Sequence, residues 1–355
     1  MDLVSSHHIE KNDWPTSASE LQSPTYAHEW FSACIKAFRD DIAINFLATT
    51  KHDHVNAIAP LYAITKKGII WYEIIGVSKL NEPGGLIYAD KESLIQLCKS
   101  IIKKGRPTHL GRLPAGDLSI EVFEKLAAKH GIIFKIPNTG SPFIEINSNW
   151  DDYLLKLPSR RKQDFRRARR RLSDQGEVYV DFYYPDQTDL NRLLDKAFGI
   201  EQANWKGRNN SAINCRPDLK RFFTIYCRYL SQTRKLVISA LLLNGAMIAV
   251  QLMVQHSNRW WVLKIGYDER WAKYSPGIQL MFETIKEAFN RKLDAFELLG
   301  TEEQWINIWP HKTHQFTSIV YFPFNLRGVG ALIEEAGSKY LSPLMSNPFI
   351  KKNPV

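Results

Sequence analysis

Four acidic residues in the second half of the chain, Asp268, Glu297, Glu302 and Glu303, fall at or just beyond the ends of two apolar runs. Carboxylates at strand ends are well placed for proton transfer, since open α/β sheets present their sites there. Between the two runs stands Tyr274-Ser275-Pro276-Gly277, followed by Ile278, Met281, Phe282, Ile285, Ala288 and Phe289 at helical spacing. The pattern predicts a helix with Ser275 as its cap, Pro276 at its first position and Gly277 leaving the first amide groups uncovered. Bare amides and the helix dipole both favour an anion, so this start is suited to a phosphate. An anion-accepting helix start set between strands, with acids close by, suggests a site for acyl-coenzyme A.

The elements that must position these residues are legible on both sides of the junction. Residues 236–243 and 246–255 are apolar runs separated by Asn244-Gly245, the dipeptide that best tolerates the two positive φ angles of a tight hairpin. A third run, 259–267, follows the short turn His256-Ser257-Asn258, and a further strand is expected at 295–300. Upstream, helices are expected at 188–203 and 218–233, a strand at 178–184, and a short helix at 151–156 capped by Asn149. The first half reads as a similar mixture. Helices are expected at 23–38, 91–104 and 119–130, with strands at 42–49, 55–65, 68–76, 109–113 and 131–135. A short helix at 329–340 closes the chain.

At 355 residues the chain is long for one core, and two domains are the default. The reading is a flexible stretch 1–20, a first domain 21–148, a second domain 149–340 and a tail 341–355. Composition is that of an ordinary soluble protein, with 44% apolar and 24% charged residues. There is no apolar run long enough to span a membrane, and the first twenty residues do not resemble a secretory signal. Cys34, Cys98, Cys215 and Cys227 have no metal or disulfide spacing, which points to a reducing cytoplasm. Metalloprotease, nucleotide-binding and serine-hydrolase signatures are absent, and no metal is expected. His311 and His314 are three apart but lack a third ligand.

The net charge of +10 is concentrated in one place. Residues 156–173 hold nine lysines and arginines against one acid, Asp164, and carry eight of those ten charges. At helical spacing Phe165, Ala168 and Leu172 share one face, and Arg161 sits one turn before Phe165 on that face. An arginine there wants a phosphate, an acidic substrate group or a structural carboxylate as partner. The other arginines read as a solvated face.

Several pieces together resemble the GNAT acyltransferase superfamily, and more narrowly the CelD/BcsL-type acetyltransferases of cellulose and exopolysaccharide biosynthesis. They are Ser159 with the arginine-rich helix, Trp205-Lys206-Gly207, the hairpin around Asn244-Gly245, Gly266-Tyr267-Asp268, Ser275-Pro276-Gly277, and Phe296 to Glu302. Upstream, Ser23-Pro24, Ala59-Pro60-Leu61 and the loop 76–88 extend the resemblance over roughly residues 20 to 320.

The resemblance implies an α/β fold with mixed sheets, in which two GNAT-like domains stand in tandem as in the related Fem peptidyltransferases. It implies acyl-coenzyme A held by Lys264, Ile265, Gly266, Ser275, Pro276 and Gly277, with strand N–H groups polarising the thioester carbonyl. By their places at strand ends and beside the helix start, Glu302 or Asp268 reads as base and Tyr267 or Tyr274 as acid, while Arg161, Trp205 and Glu297 are candidates to meet the acceptor. The acceptor would be an amine or hydroxyl in polysaccharide or cell-envelope metabolism. Members of the family show a Tyr-Lys pair after the segment matched by Gly300-Thr301-Glu302. Here Glu303-Gln304-Trp305-Ile306 stands instead, without the lysine. Two alternatives accompany this reading. One is aminoacyl-tRNA-dependent peptidyl transfer with RNA on the basic helix, against which stands the absence of an aromatic stacking platform. The other is a degenerate, non-catalytic binding protein.

Overall fold

The computed structural model describes residues 11, 14–15, 21–38, 43–51, 54–203, 212–301 and 303–345. Twelve strands form one mixed sheet with α-helices on both faces. Trp205 and Glu302 lie outside the described residues, as do most of the stretch 1–20 and most of the tail.

The first half contains β1 (Ala43–Lys51), β2 (His54–Lys66) and β3 (Ile69–Ile74), joined antiparallel. A parallel step leads from β3 to β5 (Thr108–Pro114), while the short β4 (Ile87–Tyr88) pairs β2 off the main path. The second half follows the same plan. Here β7 (Val178–Tyr183), β8 (Leu236–Leu243), β9 (Ala246–His256) and β10 (Arg259–Tyr267) are antiparallel, and β10 lies parallel to β11 (Ala295–Leu298). The tight turns are as the residue types require, with φ of 49° at Asn244 and 78° at Gly245.

Two long strands splice the halves together. Strand β6 (Gly131–Glu145) pairs antiparallel with β11 at its end and with β12 (Lys312–Pro323) along most of its length. In turn β12 pairs with β5, so the last strand of the chain returns to the first half. Sequence reasoning ended β6 at residue 135 and saw no strand after 300. The second part of β6 is broken by Pro137, Gly140 and Pro142, and the start of β12 is polar (Lys312, Thr313, His314, Gln315). Neither carries the apolar alternation that marks a strand, because long-range pairing rather than local pattern defines them. The closing helix is also longer than read, Leu326–Met345. The helix expected at 23–38 is a short 3-10 turn, Pro24–Tyr26, followed by α1 (His28–Phe38).

The helical layers divide between the faces. In the first half α2 (Val77–Leu80) leads into the loop before β4. Helices α3 (Lys91–Lys103) and α4 (Leu118–Ala127) bury Leu94, Leu97, Ile101 and Phe123 against the first half of the sheet. Helix α1 packs instead on α8 (Pro217–Gln232) of the second half, with Trp30 edge-on to Phe222 and Tyr226. Together with α7 (Leu190–Gln202) these helices form a core shared by both halves. On the opposite face, α5 (Trp150–Lys156), the basic α6 (Ser159–Ser173) and α9 (Pro276–Asn290) pack around Trp150, Phe165, Phe282 and Trp309. Asn149 caps α5, its side chain accepting the Asp152 N–H at 2.9 Å.

Candidate functional site

The parallel pair β10–β11 opens part-way along. Pairing runs from Arg259 opposite Ala295 to Val262 opposite Leu298, and there it stops. Strand β10 continues to Tyr267 against β9 alone, with a register shift between Val262 and Lys264 that lets Leu263 bulge. The bulge turns β10 away from β11, whose chain turns off at Gly300 with φ of 87°. Two cavities meet at this opening.

The first, of about 320 Å³, has walls from Gly266, Tyr267, Ser275, Pro276 and Gly277, with Met281 deeper along α9. Ser275 has a left-handed backbone (φ 53°, ψ 49°) and its side chain makes no capping bond. The expected Ser275 cap is therefore corrected. With Pro276 lacking an N–H and, among the described residues, no side chain covering the next amides, the start of α9 meets the cavity bare. A Cβ on Gly277 would meet Tyr267 Cδ1 at 3.2 Å, so the ring would have to give by a few tenths of an ångström to admit a side chain here. Gly266 has a different reason to be glycine, since its Cβ would lie 2.5 Å from the Glu201 backbone of α7. A narrow, mostly apolar cavity ending at an uncapped helix start fits a thioester arm with phosphates at its outer end.

The second cavity, of about 300 Å³, lies between the halves. Lys264 and Leu263 of β10 and Thr301 beyond β11 form one side, and Asn81 and Glu82 from the first half form the other. Ile265, Glu303 and Trp305 border both cavities. Trp305 is fixed by its indole N–H, which donates to Glu303 Oε2 at 2.7 Å.

Residues from three distant segments hold the seam. The Gly300 N–H donates to Glu82 Oε2 at 3.0 Å, and the Gly300 carbonyl accepts from Arg112 Nη2 and Ser141 Oγ, each at 2.7 Å. Arg112 Nη2 also reaches Ser141 Oγ at 2.9 Å, and its backbone holds a left-handed φ of 49°. Glu82 is 8% exposed. Burial pushes its carboxyl up to about 7, and nearby Lys264 and Arg112 offset only part of that. A group titrating near neutrality, bordering a polar cavity, is poised for proton transfer.

Lys264 faces the second cavity, Ile265 both, and Gly266, Tyr267, Ser275, Pro276 and Gly277 the first. Asp268 borders neither cavity. It caps the 3-10 turn Glu269–Tyr274 and is clamped by Arg270 at 2.6 Å. The hydrogen bonds from Arg270 hold its carboxyl below the usual range, the reverse of what a base needs. Tyr274 is buried among Leu172, Ile248 and Leu280 and borders neither cavity. Glu297 is spent in a buried cluster, 2.8 Å from Arg259 Nη1 and 2.9 Å from His314 Nε2. Arg161 is exposed, not turned onto the apolar face as expected, and lines neither cavity. The lysine absent after Glu302 has no substitute at 303–306, but Lys264 brings an ammonium to the same cavity from β10.

Sequence reasoning missed Glu82, Arg112 and Ser141. The loop Asn81-Glu82-Pro83-Gly84-Gly85 signalled a turn, and nothing local connects it to Gly300, 218 residues away. No group of three or more His, Cys, Asp or Glu side chains is placed to hold a metal ion among the described residues. No described helix is long and apolar enough to cross a membrane.

Residues 159–307 match the sequence model of the acetyltransferase (GNAT) domain. No curated protein matches the chain significantly in sequence. Among solved structures the chain is similar to FemX, at 12% identity and a TM-score of 0.57, over 87% of this chain and 96% of that one. It is also similar to L-PGS from Bacillus licheniformis (10% identity, TM-score 0.52, covering 88% and 96%). A third is a conserved protein of unknown function from Bacteroides thetaiotaomicron (13%, 0.55, 88% and 98%). At such identities the likeness is one of fold, and that fold is a tandem GNAT-like α/β arrangement.

Proposed function

We propose that this protein is an acyl-coenzyme A dependent acyltransferase that acylates an amine or hydroxyl by direct transfer. The observation that carries the reading is the opened β10–β11 pair, with a cavity on one side ending at the uncapped start of α9 and a polar cavity on the other. The thioester arm would enter along Gly266 and Tyr267, its pyrophosphate held by the amides of Gly277 and Ile278. When bound, acyl-coenzyme A supplies the activated carbonyl, and the chain's own groups orient it and move protons.

In the second cavity Glu82 takes the proton of the attacking amine or hydroxyl as its nitrogen or oxygen bonds to the thioester carbon. The C–S bond then breaks, and the Tyr267 hydroxyl protonates the departing thiolate from the first cavity. No covalent enzyme intermediate is needed. The polar walls contributed by Asn81, Lys264, Thr301 and Glu303 suit a hydrophilic acceptor. On the resemblance to CelD/BcsL-type acetyltransferases we assign that acceptor to polysaccharide or cell-envelope chemistry, an acetyl group being the acyl cargo. We further take the protein to act in the cytoplasm, as two GNAT-like domains meeting near residues 148 and 149.

Aminoacyl transfer from tRNA is the second reading, favoured by the cationic α6. Thermal denaturation separates the two. Acetyl-coenzyme A is expected to raise the melting temperature by several degrees, as a ligand specific for the folded state must. An unchanged melting temperature, with tRNA retained on a filter and released by salt, would overturn the first reading. No response to either ligand would leave a non-catalytic protein.

A further inference from the structure

A groove of about 380 Å³ runs between α6 and α9, on the side of α9 turned away from the two cavities. Its apolar walls are Phe165 and Phe282, whose rings lie 5.1 Å apart. Four cations line it, Lys162, Arg166, Arg169 and Arg170, against one acid, Glu283. None of the four has a side-chain ion partner among the described residues, and Asp164, the one acid within α6, faces Arg167 instead. The solvated-face reading of the helix is thus incomplete, because part of that charge converges on a concave surface.

Two polar side chains in the groove are left half-satisfied. Arg169 donates through Nη2 to the Val178 carbonyl at 2.8 Å, while its buried Nη1 has no partner among the described residues. Gln279, 5% exposed, donates through Nε2 to the Tyr274 carbonyl, and its buried Oε1 has none. Two aromatic rings beside several cations suit a phosphate joined to a flat ring.

The position in the fold narrows the identity. Gln279 and Glu283 lie one and two turns into α9, about 3 and 9 Å along its axis from Gly277. Helix α6 reaches the turn ahead of that start, with Arg171 Nη2 at 3.5 Å from the Lys273 carbonyl. A carrier whose pyrophosphate rests on the first amides of α9 therefore continues towards this groove. We propose that the groove seats the 3′-phosphoadenosine end of the acyl carrier, an inference that rests on the acyl-coenzyme A reading. The cations meet the 3′-phosphate, and Phe165 and Phe282 meet the base. The protein thereby selects a coenzyme A thioester over a thioester on a carrier protein, whose pantetheine arm has no nucleotide.

Calorimetric titration with coenzyme A and with 3′-dephospho-coenzyme A tests this at low salt. Wild type is expected to bind coenzyme A about tenfold or more tightly, the equivalent of one charge-assisted contact. In Arg166→Ala/Arg170→Ala, which changes only exposed side chains, the preference should vanish through loss of coenzyme A affinity alone. A control removing two charges elsewhere, Lys99→Ala/Lys103→Ala, should keep it. Equal affinities in wild type would overturn the inference and leave the acyl-coenzyme A reading standing. So would equal weakening of both ligands in the Arg166/Arg170 variant. Binding of neither compound would overturn both readings, and binding of tRNA abolished by the same two substitutions would reassign the groove to RNA.

Discussion

The two cavities that meet at Ile265, Glu303 and Trp305 are built in different ways. The cavity proposed for the donor comes largely from one continuous stretch, in which β9, β10 and α9 follow each other with short turns. The acceptor side is assembled from loops 81–82 and 300–303, held by Arg112 on β5 and Ser141 on β6. The donor cavity depends on a glycine and an uncapped helix, features of backbone that few residue types permit. The acceptor cavity depends on one buried carboxylate and the cation that keeps the seam closed. A site built locally can be preserved while its partner diverges, so the cavity proposed for the donor should be the more constant of the two and the one proposed for the acceptor the more adaptable.

The two cavities should be separable by substitution. Glu82→Gln is expected to lower acetyl transfer to an amine by about 10²–10⁴-fold. Acetyl-coenzyme A affinity should change less than about twofold, since Glu82 borders the acceptor side alone. Thiol release under saturating acetyl-coenzyme A measures the first and calorimetry the second. In wild type the rate should rise as pH passes through about 7, and that limb should disappear in the variant. Stability should move the other way. A carboxyl whose folded value lies above its unfolded one binds more protons when folded, so stability is greatest below about 4.5 and falls as pH rises to about 7. The full change is on the order of 3 kcal/mol at most, and urea melts of Glu82→Gln should be flatter across that window. A rate limb unaltered in the variant would remove Glu82 from the chemistry.

Arg112→Met keeps the packing against Phe316 but removes the donors to Gly300 and Ser141. A loss of about 3 kcal/mol in urea unfolding is expected, as for a broken buried charged network. The pH limb should also move upwards, because a cation that offsets the burial of Glu82 is gone. A stability change under 1 kcal/mol would mean the seam is held by other contacts. The smallest effect is expected at Glu297, which serves neither cavity. Glu297→Gln should cost about 2 kcal/mol through its bonds to Arg259 and His314. Acetyl-coenzyme A affinity should stay unchanged, and a large affinity loss would return Glu297 to the site.

What could be read beforehand follows the same division. The hairpin at Asn244-Gly245, the strands beside it and the start of α9 were legible because each signal lies within a few residues of the structure it dictates. Strand β12, the second part of β6 and the network around Gly300 were not, because their partners lie far away in the chain. Among the acids, position at a strand end did not distinguish roles. All three are buried, but Asp268 faces Arg270 and Glu297 faces Arg259 and His314, and only in the assembled fold does Glu82 stand out, lining a cavity with its carboxyl pushed up. The arginine-rich helix was conspicuous, yet which of its charges meet a groove depended on where α9 lies.

Both proposed roles require an acyl-coenzyme A molecule to be held at the uncapped start of α9, and this binding can be measured. It is tested most directly by calorimetric titration of acetyl-coenzyme A into wild type and Gly277→Glu. The account predicts one site per chain in wild type and a loss of affinity of about 100-fold or more in the variant, where a carboxylate meets Tyr267 and displaces the phosphates. The variant's unfolding transition should stay cooperative. No binding heat in wild type, or equal affinity in a folded Gly277→Glu, would contradict it.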